Sequence, residues 1–270
     1  MAPTDRTRVF HQLHKSGCFV IPNPWDRGSA RLLAQLGFPA LATTSSGFAW
    51  TMARPDNGVT QEQALAHYRA LAEAVDIPVS ADFEHGFADA PEGVAANVTA
   101  AARTGIAGLS IEDSTGDAAR PLYVFELAVE RIRAARAAID ASGTGLLLTG
   151  RSEGFIVGRP DLAETISRLT AYAEAGADCL FAPGIKSVAD ISAVVRAVAP
   201  KPVNVLVGGD WATVSQLAEL GVRRISTGGA LARAAWAGFL TAAKEIATQG
   251  TFGSLAKAVP LSGDMNRAFS

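Results

Sequence analysis

The stretch Ile77-Pro78-Val79-Ser80-Ala81-Asp82-Phe83-Glu84-His85-Gly86 decides how the rest of the chain is read. It opens as a short apolar run behind a proline and closes on two carboxylates, a histidine and a glycine. In a strand, side chains alternate between faces, so Asp82 and Glu84 are expected to point the same way. Two acids on one face repel each other unless something positive stands between them. A hard divalent cation meets that need, because Mg²⁺ prefers carboxylate oxygen and water. The plainer alternative is a pair of solvated loop acids.

Outward from this stretch, the same strand-then-helix unit repeats. The spacing predicts a short helix over Thr4–Lys15, with Thr4 as cap and Gly17 as stop. Strands are expected at Cys18–Ile21, Ala40–Thr43, Val79–Asp82, Gly108–Glu112, Leu146–Gly150, Cys179–Phe181, Val203–Val207 and Arg224–Ser226. Helices are expected at Asp26–Leu36, Thr60–Val75, Pro91–Arg103, Val124–Asp140, Asp161–Ala175, Val188–Val198, Trp211–Leu220 and Ala230–Ala247. The strands are apolar on both faces, as parallel strands covered by helices should be. Several helix-to-strand links share one form: Leu36-Gly37-Phe38, Thr104-Gly105-Ile106, Ala175-Gly176-Ala177 and Leu220-Gly221-Val222. Glycine suits the left-handed turn that ends a helix. Eight parallel units favour an α/β fold of the closed (β/α)₈ TIM-barrel type. No GxGxxG follows the first strand, which speaks against a dinucleotide-binding sheet. The expected organisation is one barrel domain over residues 1–270, with a short N-terminal helix (about 4–16) and a C-terminal arm (about 230–270) that extends or swaps.

The composition narrows the function classes. At 270 residues and 49% hydrophobic, the chain can bury a sizeable core. Its formal net charge is -2 and its Lys and Arg are scattered, so nucleic acid is not an expected partner. No apolar run is long enough to span a membrane, and the polar start Met1–Arg8 lacks the core of a signal peptide. Two cysteines, Cys18 and Cys179, make no disulfide framework. Both are expected to be buried as small hydrophobes, in keeping with a cytoplasmic setting.

In such a barrel, chemistry gathers at the C-terminal strand ends. Those positions hold Asn23, then Thr43 to Phe48, then Asp82, Glu84 and His85, then Glu112 and Asp113, then Arg151 and Glu153, with Asn204 inside the seventh strand. Three acids on neighbouring strands are expected to face one arginine across the mouth. That combination suits a metal and an anionic substrate, since arginine can grip a carboxylate in two parallel hydrogen bonds. The Ser45-Ser46-Gly47 turn can offer backbone N–H groups to the same anion. An ion pair from Arg151 to Glu112 or Glu153 is the structural alternative.

Four segments together, Ala42-Thr43-Thr44-Ser45-Ser46-Gly47-Phe48, Ala81-Asp82-Phe83-Glu84-His85-Gly86-Phe87, Gly108-Leu109-Ser110-Ile111-Glu112-Asp113 and Gly150-Arg151-Ser152-Glu153-Gly154-Phe155, resemble the isocitrate lyase/phosphoenolpyruvate mutase superfamily in order and spacing. The resemblance covers roughly Phe10 to Phe239. It implies a barrel that binds Mg²⁺ (or Mn²⁺) and a small 2-oxo or 2-hydroxy carboxylate. It also implies that Asp82 is a direct metal ligand and that Glu84 and Glu112 hold metal-bound water. Ser46, Gly47 and Phe48 fall on the turn that binds a substrate carboxylate. Arg151 falls on the substrate-binding arginine, Asp56 on an acid near the metal, and Asn204 on a substrate-contacting asparagine. Members commonly form homo-oligomers, dimers or tetramers, in which the last barrel helix swaps. Here that would be Ala230–Ala247.

The chain departs from the pattern after the fourth strand. The isocitrate and methylisocitrate lyases carry a cysteine loop there, but this chain reads Asp113-Ser114-Thr115-Gly116-Asp117-Ala118-Ala119-Arg120-Pro121-Leu122. The loop asparagine and the later histidine of the mutases are also missing. His85, Asp117 and Tyr123 are the local candidates for acid/base work, with His85 the foremost. His11, His14 and His67 are expected on helices away from the strand ends. The resulting expectation is a Mg²⁺-dependent lyase for a small 2-oxo or 2-hydroxy (di)carboxylate, working by C–C cleavage or decarboxylation. The alternatives are a phosphonate P–C bond mutase or hydrolase, and a catalytically silent 2-oxo acid binding protein.

Overall fold

The computed structural model describes residues 3–259 and 261–270; the cap expected at Thr4 lies outside the described side chains. A first helix, α1 (Pro3–Leu13), precedes eight strand-and-helix units. These are β1 (Phe19–Ile21) with α2 (Arg27–Gln35); β2 (Leu41–Ala42) with α3 (Ser45–Thr51) and α4 (Gln61–Ala74); β3 (Val79–Asp82) with α5 (Pro91–Ala101); and β4 (Gly108–Glu112) with α6 (Phe125–Ser142). They continue with β5 (Leu147–Arg151) and α7 (Leu162–Glu174); β6 (Cys179–Phe181) and α8 (Val188–Val198); β7 (Val203–Leu206) and α9 (Val214–Glu219); and β8 (Arg224–Ser226) and α10 (Ala230–Gln249). Two short helices follow, α11 (Gly253–Ala256) and α12 (Leu261–Phe269).

Helix starts follow the sequence logic. Asp26, Thr60, Asp161, Ser187 and Thr213 each cap a helix by accepting a hydrogen bond from a backbone N–H three residues on. Gly37, Gly105, Gly176 and Gly221, the repeated links, all take positive φ between 85° and 107°. The element the sequence reading missed is α3. Its Ser-Ser-Gly run is the first turn of a helix capped by Thr44, not a free turn.

All strands pair in parallel in the order β1-β8-β7-β6-β5-β4-β3-β2. The seam between β1 and β2 is closed by Ala42 N–H donating to the Pro22 carbonyl at 3.1 Å. Asn23 reinforces it, donating to the Thr43 carbonyl at 2.8 Å and accepting from the Thr227 and Gly228 amides. The result is a nearly closed (β/α)₈ barrel. Its floor is apolar: Phe10 of α1 packs with Phe19, Ala40, Leu147 and Cys179. Cys18 is half-buried and Cys179 buried, both as free thiols. No helix among the described residues is long and apolar enough to cross a membrane.

Gly108 makes room for the floor. A Cβ there would stand 2.8 Å from Phe10 Cε1 and 2.7 Å from the Leu147 carbonyl oxygen. Gly108→Ala is therefore expected to cost about 1–3 kcal/mol by overpacking, read as a lower urea midpoint at unchanged slope.

Candidate active site

The charged strand ends gather on one side of the barrel rather than across it. β3, β4 and β5 are neighbours, and Glu112 lies directly beside Arg151 in the pairing register. Arg151 donates to Asp82 Oδ1 at 3.1 Å, pairs with Glu112 Oε2 at 3.1 Å, and donates from Nε to Glu153. Alternation along a strand does not place Glu84, because β3 ends at Asp82 and Glu84 takes a left-handed φ of 48°. Ala53, Asn57 and Phe87 also have positive φ, so the four such non-glycine residues among the described residues lie on the two loops after α3 and β3. Backbone strain of this kind persists only where its surroundings hold it, and it clusters at functional sites.

Those surroundings are visible. Arg131 of α6 is buried and donates to the carbonyls of His85, Ala88 and Asp89, which pins the loop after β3. Tyr68 donates to the Asp82 carbonyl at 2.7 Å. On the other flank, Asp113 accepts from the Glu153 amide at 2.7 Å, the Tyr172 hydroxyl at 2.7 Å and Arg168 at 3.2 Å. Asp113 is thus a structural anchor that sets the segment after β5.

The electrostatics are crowded. Burial pushes the Glu84 carboxyl up to about 8, helped by the charges of Asp82 and Asp56 and opposed by Arg151. Burial also raises Glu112 and Glu153 against the pull of Arg151. For Arg151, burial is outweighed by Glu112, Glu153 and Asp82, so its charge is held firmly.

A cavity of about 280 Å³ opens at the mouth and runs down into the lumen. Of the residues named from sequence, Asn23, Thr43 to Ser46, Asp56, Asp82, Arg151 and Asn204 line it. Glu84 and Glu112 are buried behind that wall. Gly47 and Phe48 are not in it. Their N–H groups donate to Thr44 Oγ1 and the Thr44 carbonyl, and the Ser45 amide donates to Asp82 Oδ2 at 3.0 Å. The Phe48 ring stacks on His67 at 3.8 Å between centroids. His67 is therefore not remote from the site, as its helical position suggested: it lines a small void with Asp82 and Glu84. His85 lies against Phe87, outside the cavity. Tyr123 donates to Asp89 beneath the Arg131 guanidinium, with its hydroxyl pushed up to about 12 by burial and that bond. Asp117 is exposed and pairs with Arg120. The sequence reading passed over Arg224 and Arg233, which also line the cavity. The signal for Arg224 was a cation at the head of a strand otherwise expected to be apolar.

The donor set around Arg151 suits a hard divalent cation. Asp56, Asp82, Glu84, Glu112 and Glu153 all act on one another's ionisation or on Arg151, and oxygen donors with surplus negative charge are what Mg²⁺ requires. Among the described residues, no three such side chains ring a common point; Arg151 itself bridges Asp82 and Glu112.

The chain matches the phosphoenolpyruvate phosphomutase family model over residues 10–247. A solved protein of Burkholderia cenocepacia J2315, assigned provisionally to the lyases or mutases, is 49% identical, with 99% of this chain and 96% of that one covered at a TM-score of 0.95. An oxaloacetate decarboxylase of Paraburkholderia xenovorans is 30% identical over 82% of this chain and 74% of its own length. The solved 2,3-dimethylmalate lyase, described as a member of the phosphoenolpyruvate mutase/isocitrate lyase superfamily, is 26% identical, with 93% and 89% covered at a TM-score of 0.82. The chain belongs to the phosphoenolpyruvate phosphomutase family, within that superfamily of enzymes.

Removing the shared guanidinium exposes the crowding. In metal-free protein, Arg151→Met leaves Asp82, Glu112 and Glu153 without their counter-charge and is expected to cost about 3 kcal/mol or more at pH 8. The loss of Arg151 raises the folded-state pKa of Glu112 and Glu153 further. The folded state then holds protons that the unfolded state releases, so stability falls as pH rises above the ordinary carboxylate range. Urea midpoints should show the deficit shrinking from pH 8 to pH 5.

Proposed function

We propose that this enzyme is a Mg²⁺-dependent lyase for a small 2-oxo dicarboxylate, with decarboxylation of oxaloacetate as the favoured reaction. One observation carries the choice. Among the described residues, the titratable side chains lining the cavity are two aspartates and three arginines, Asp56, Asp82, Arg151, Arg224 and Arg233, with no histidine, cysteine or lysine. That lining suits a dianion. It offers no group that ordinarily titrates near neutrality, the kind on which a base-driven retro-aldol step depends. Loss of CO₂ from a 3-carboxy-2-oxo acid needs no base to start it, because the electron pair of the broken C–C bond moves toward the ketone oxygen.

Asp82 would hold the cation, with Glu84 and Glu112 supporting its water, and Mn²⁺ could replace Mg²⁺ there. When bound, the cation supplies a Lewis acid that stabilises charge developing on the substrate's ketone oxygen. Arg151 and Ser46 bind the substrate at the mouth, and Asn204 contacts it from the seventh strand. Asp56 stands in the cavity wall and would add negative charge near the cation held by Asp82. The names borne by relatives, oxaloacetate decarboxylase and 2,3-dimethylmalate lyase, support the dicarboxylate class.

The test is turnover of oxaloacetate to pyruvate by Mg²⁺-loaded protein. Activity should vanish with EDTA, return with Mg²⁺, and fall about 100-fold or more in Asp82→Ala. A folded, metal-loaded protein that leaves oxaloacetate at its spontaneous rate would overturn the reading; metal-dependent binding without turnover would favour the silent binding protein.

The enzyme is further expected to work as a homo-oligomer, a dimer or tetramer. Along α10 only Ala232 is buried, while Phe239 is 60% exposed and Trp236, Leu240 and Ile246 are exposed beside it. Light scattering should return twice or four times the chain mass, and Phe239→Asp should lower it.

A further inference from the structure

The lumen of a TIM barrel is ordinarily filled with bulky branched side chains. Here only the floor is. Bordering it, with Arg224 paired in register to Phe19 and Thr149 to Cys179, the polar side chains Ser80, Ser110, Thr149, Asn204 and Arg224 form a tier, and the cavity reaches Ser80, Ser110, Asn204 and Arg224. Arg224 is 5% exposed. It donates to Asn204 Oδ1 at 2.9 Å and Thr149 Oγ1 at 3.1 Å, and lies 3.3 Å from His14 Nε2. Among the described residues these partners are uncharged, and no carboxylate forms an ion pair with it. His14 is no counter-charge, since burial and the adjacent Arg224 drive its pKa down to about 3. Burial pulls Arg224 down as well.

The neutral network explains how Arg224 is oriented. It does not explain why a full positive charge is kept in the lumen, where an unpaired ion is costly. Arg151 shows the contrast: it stands in the same cavity with three carboxylate partners. Arg224 touches Thr149, and Arg151 is two residues farther along the same strand, a rise of about 7 Å. One cavity therefore holds a neutralised guanidinium at its mouth and an uncompensated one a layer below.

We propose that Arg224 is the deep carboxylate subsite of this enzyme, and that it seats the carboxylate retained in the product. The inference rests on the reading of the site as one for a 2-oxo dicarboxylate. Its direction follows from charge. A carboxylate that departs as CO₂ loses its charge in the transition state, so pairing it with an uncompensated cation would stabilise the ground state and slow the reaction. The carboxylate beside the 2-oxo group keeps its charge throughout, and Arg224 binds ground state and transition state alike. The departing carboxylate then lies toward the mouth, beside the already neutralised Arg151.

The test uses three ligands and direct binding, measured by calorimetry on Mg²⁺-loaded full-length protein. Oxaloacetate carries both carboxylates, pyruvate only the retained one, and acetoacetate only the departing one. Wild type should bind pyruvate more tightly than acetoacetate. Arg224→Met should weaken pyruvate and oxaloacetate at least tenfold and leave acetoacetate unchanged, and Arg224→Lys should recover part of the loss. Equal weakening of all three would mean a structural role, and selective weakening of acetoacetate would reverse the orientation; either overturns the proposal. So does a wild type that binds pyruvate no better than acetoacetate, a result that stands even if Arg224→Met fails to fold. Because binding is the readout, the outcome is separate from whether oxaloacetate is turned over.

Discussion

One guanidinium holds the mouth of this barrel together. Arg151 stands against Asp82, Glu112 and Glu153, with Glu84 close by. Carboxylates packed this closely at partial burial cannot all remain ionised without compensating charge. That constraint shapes what the site can accept. Anything entering must either supply positive charge to the carboxylates, as a divalent cation does, or take the arginine as an anion does. A metal and an anionic substrate arriving together would satisfy both demands.

The scaffold is built to keep this arrangement in place. Asp113 looks from the sequence like one more acid at a strand end. It is spent on Tyr172, Arg168 and the Glu153 amide, and so fixes the segment on which Glu153 sits. Arg131 does the same for the loop after β3 through three backbone carbonyls. These two buried contacts oppose the repulsion among the carboxylates and the strain of the left-handed Glu84 and Phe87.

From floor to mouth, the lumen changes character in three tiers. Aromatic and aliphatic packing closes the bottom, a neutral polar tier surrounds Arg224, and the charged tier surrounds Arg151. Strand alternation sets this spacing, since Thr149 and Arg151, like Ser80 and Asp82, share one face of their strands. The loop that carries acid/base chemistry in the lyases with a cysteine is here a small closed turn, bridged between Ser114 and Leu122. What remains is a cavity whose wall carries Arg151, Arg224 and Arg233 beside Asp56 and Asp82.

The sequence alone determined the barrel. Short strands apolar on both faces, side-chain caps and glycine links are local signals, and each acts within a few residues. It also marked Asp82, Glu112 and Arg151, because acids and an arginine at strand ends stand out against apolar runs. It misplaced what depends on a turn or on a distant partner. Ser45–Phe48 reads as a loop because a seven-residue helix is too short to show a period. Glu84 reads as strand-facing because nothing local signals its left-handed backbone. His67 and Arg224 read as helix surface and strand interior. Only the closed barrel brings His67 against Phe48 and sets Arg224 beneath the mouth, because the contacts that define their roles join residues far apart in the chain.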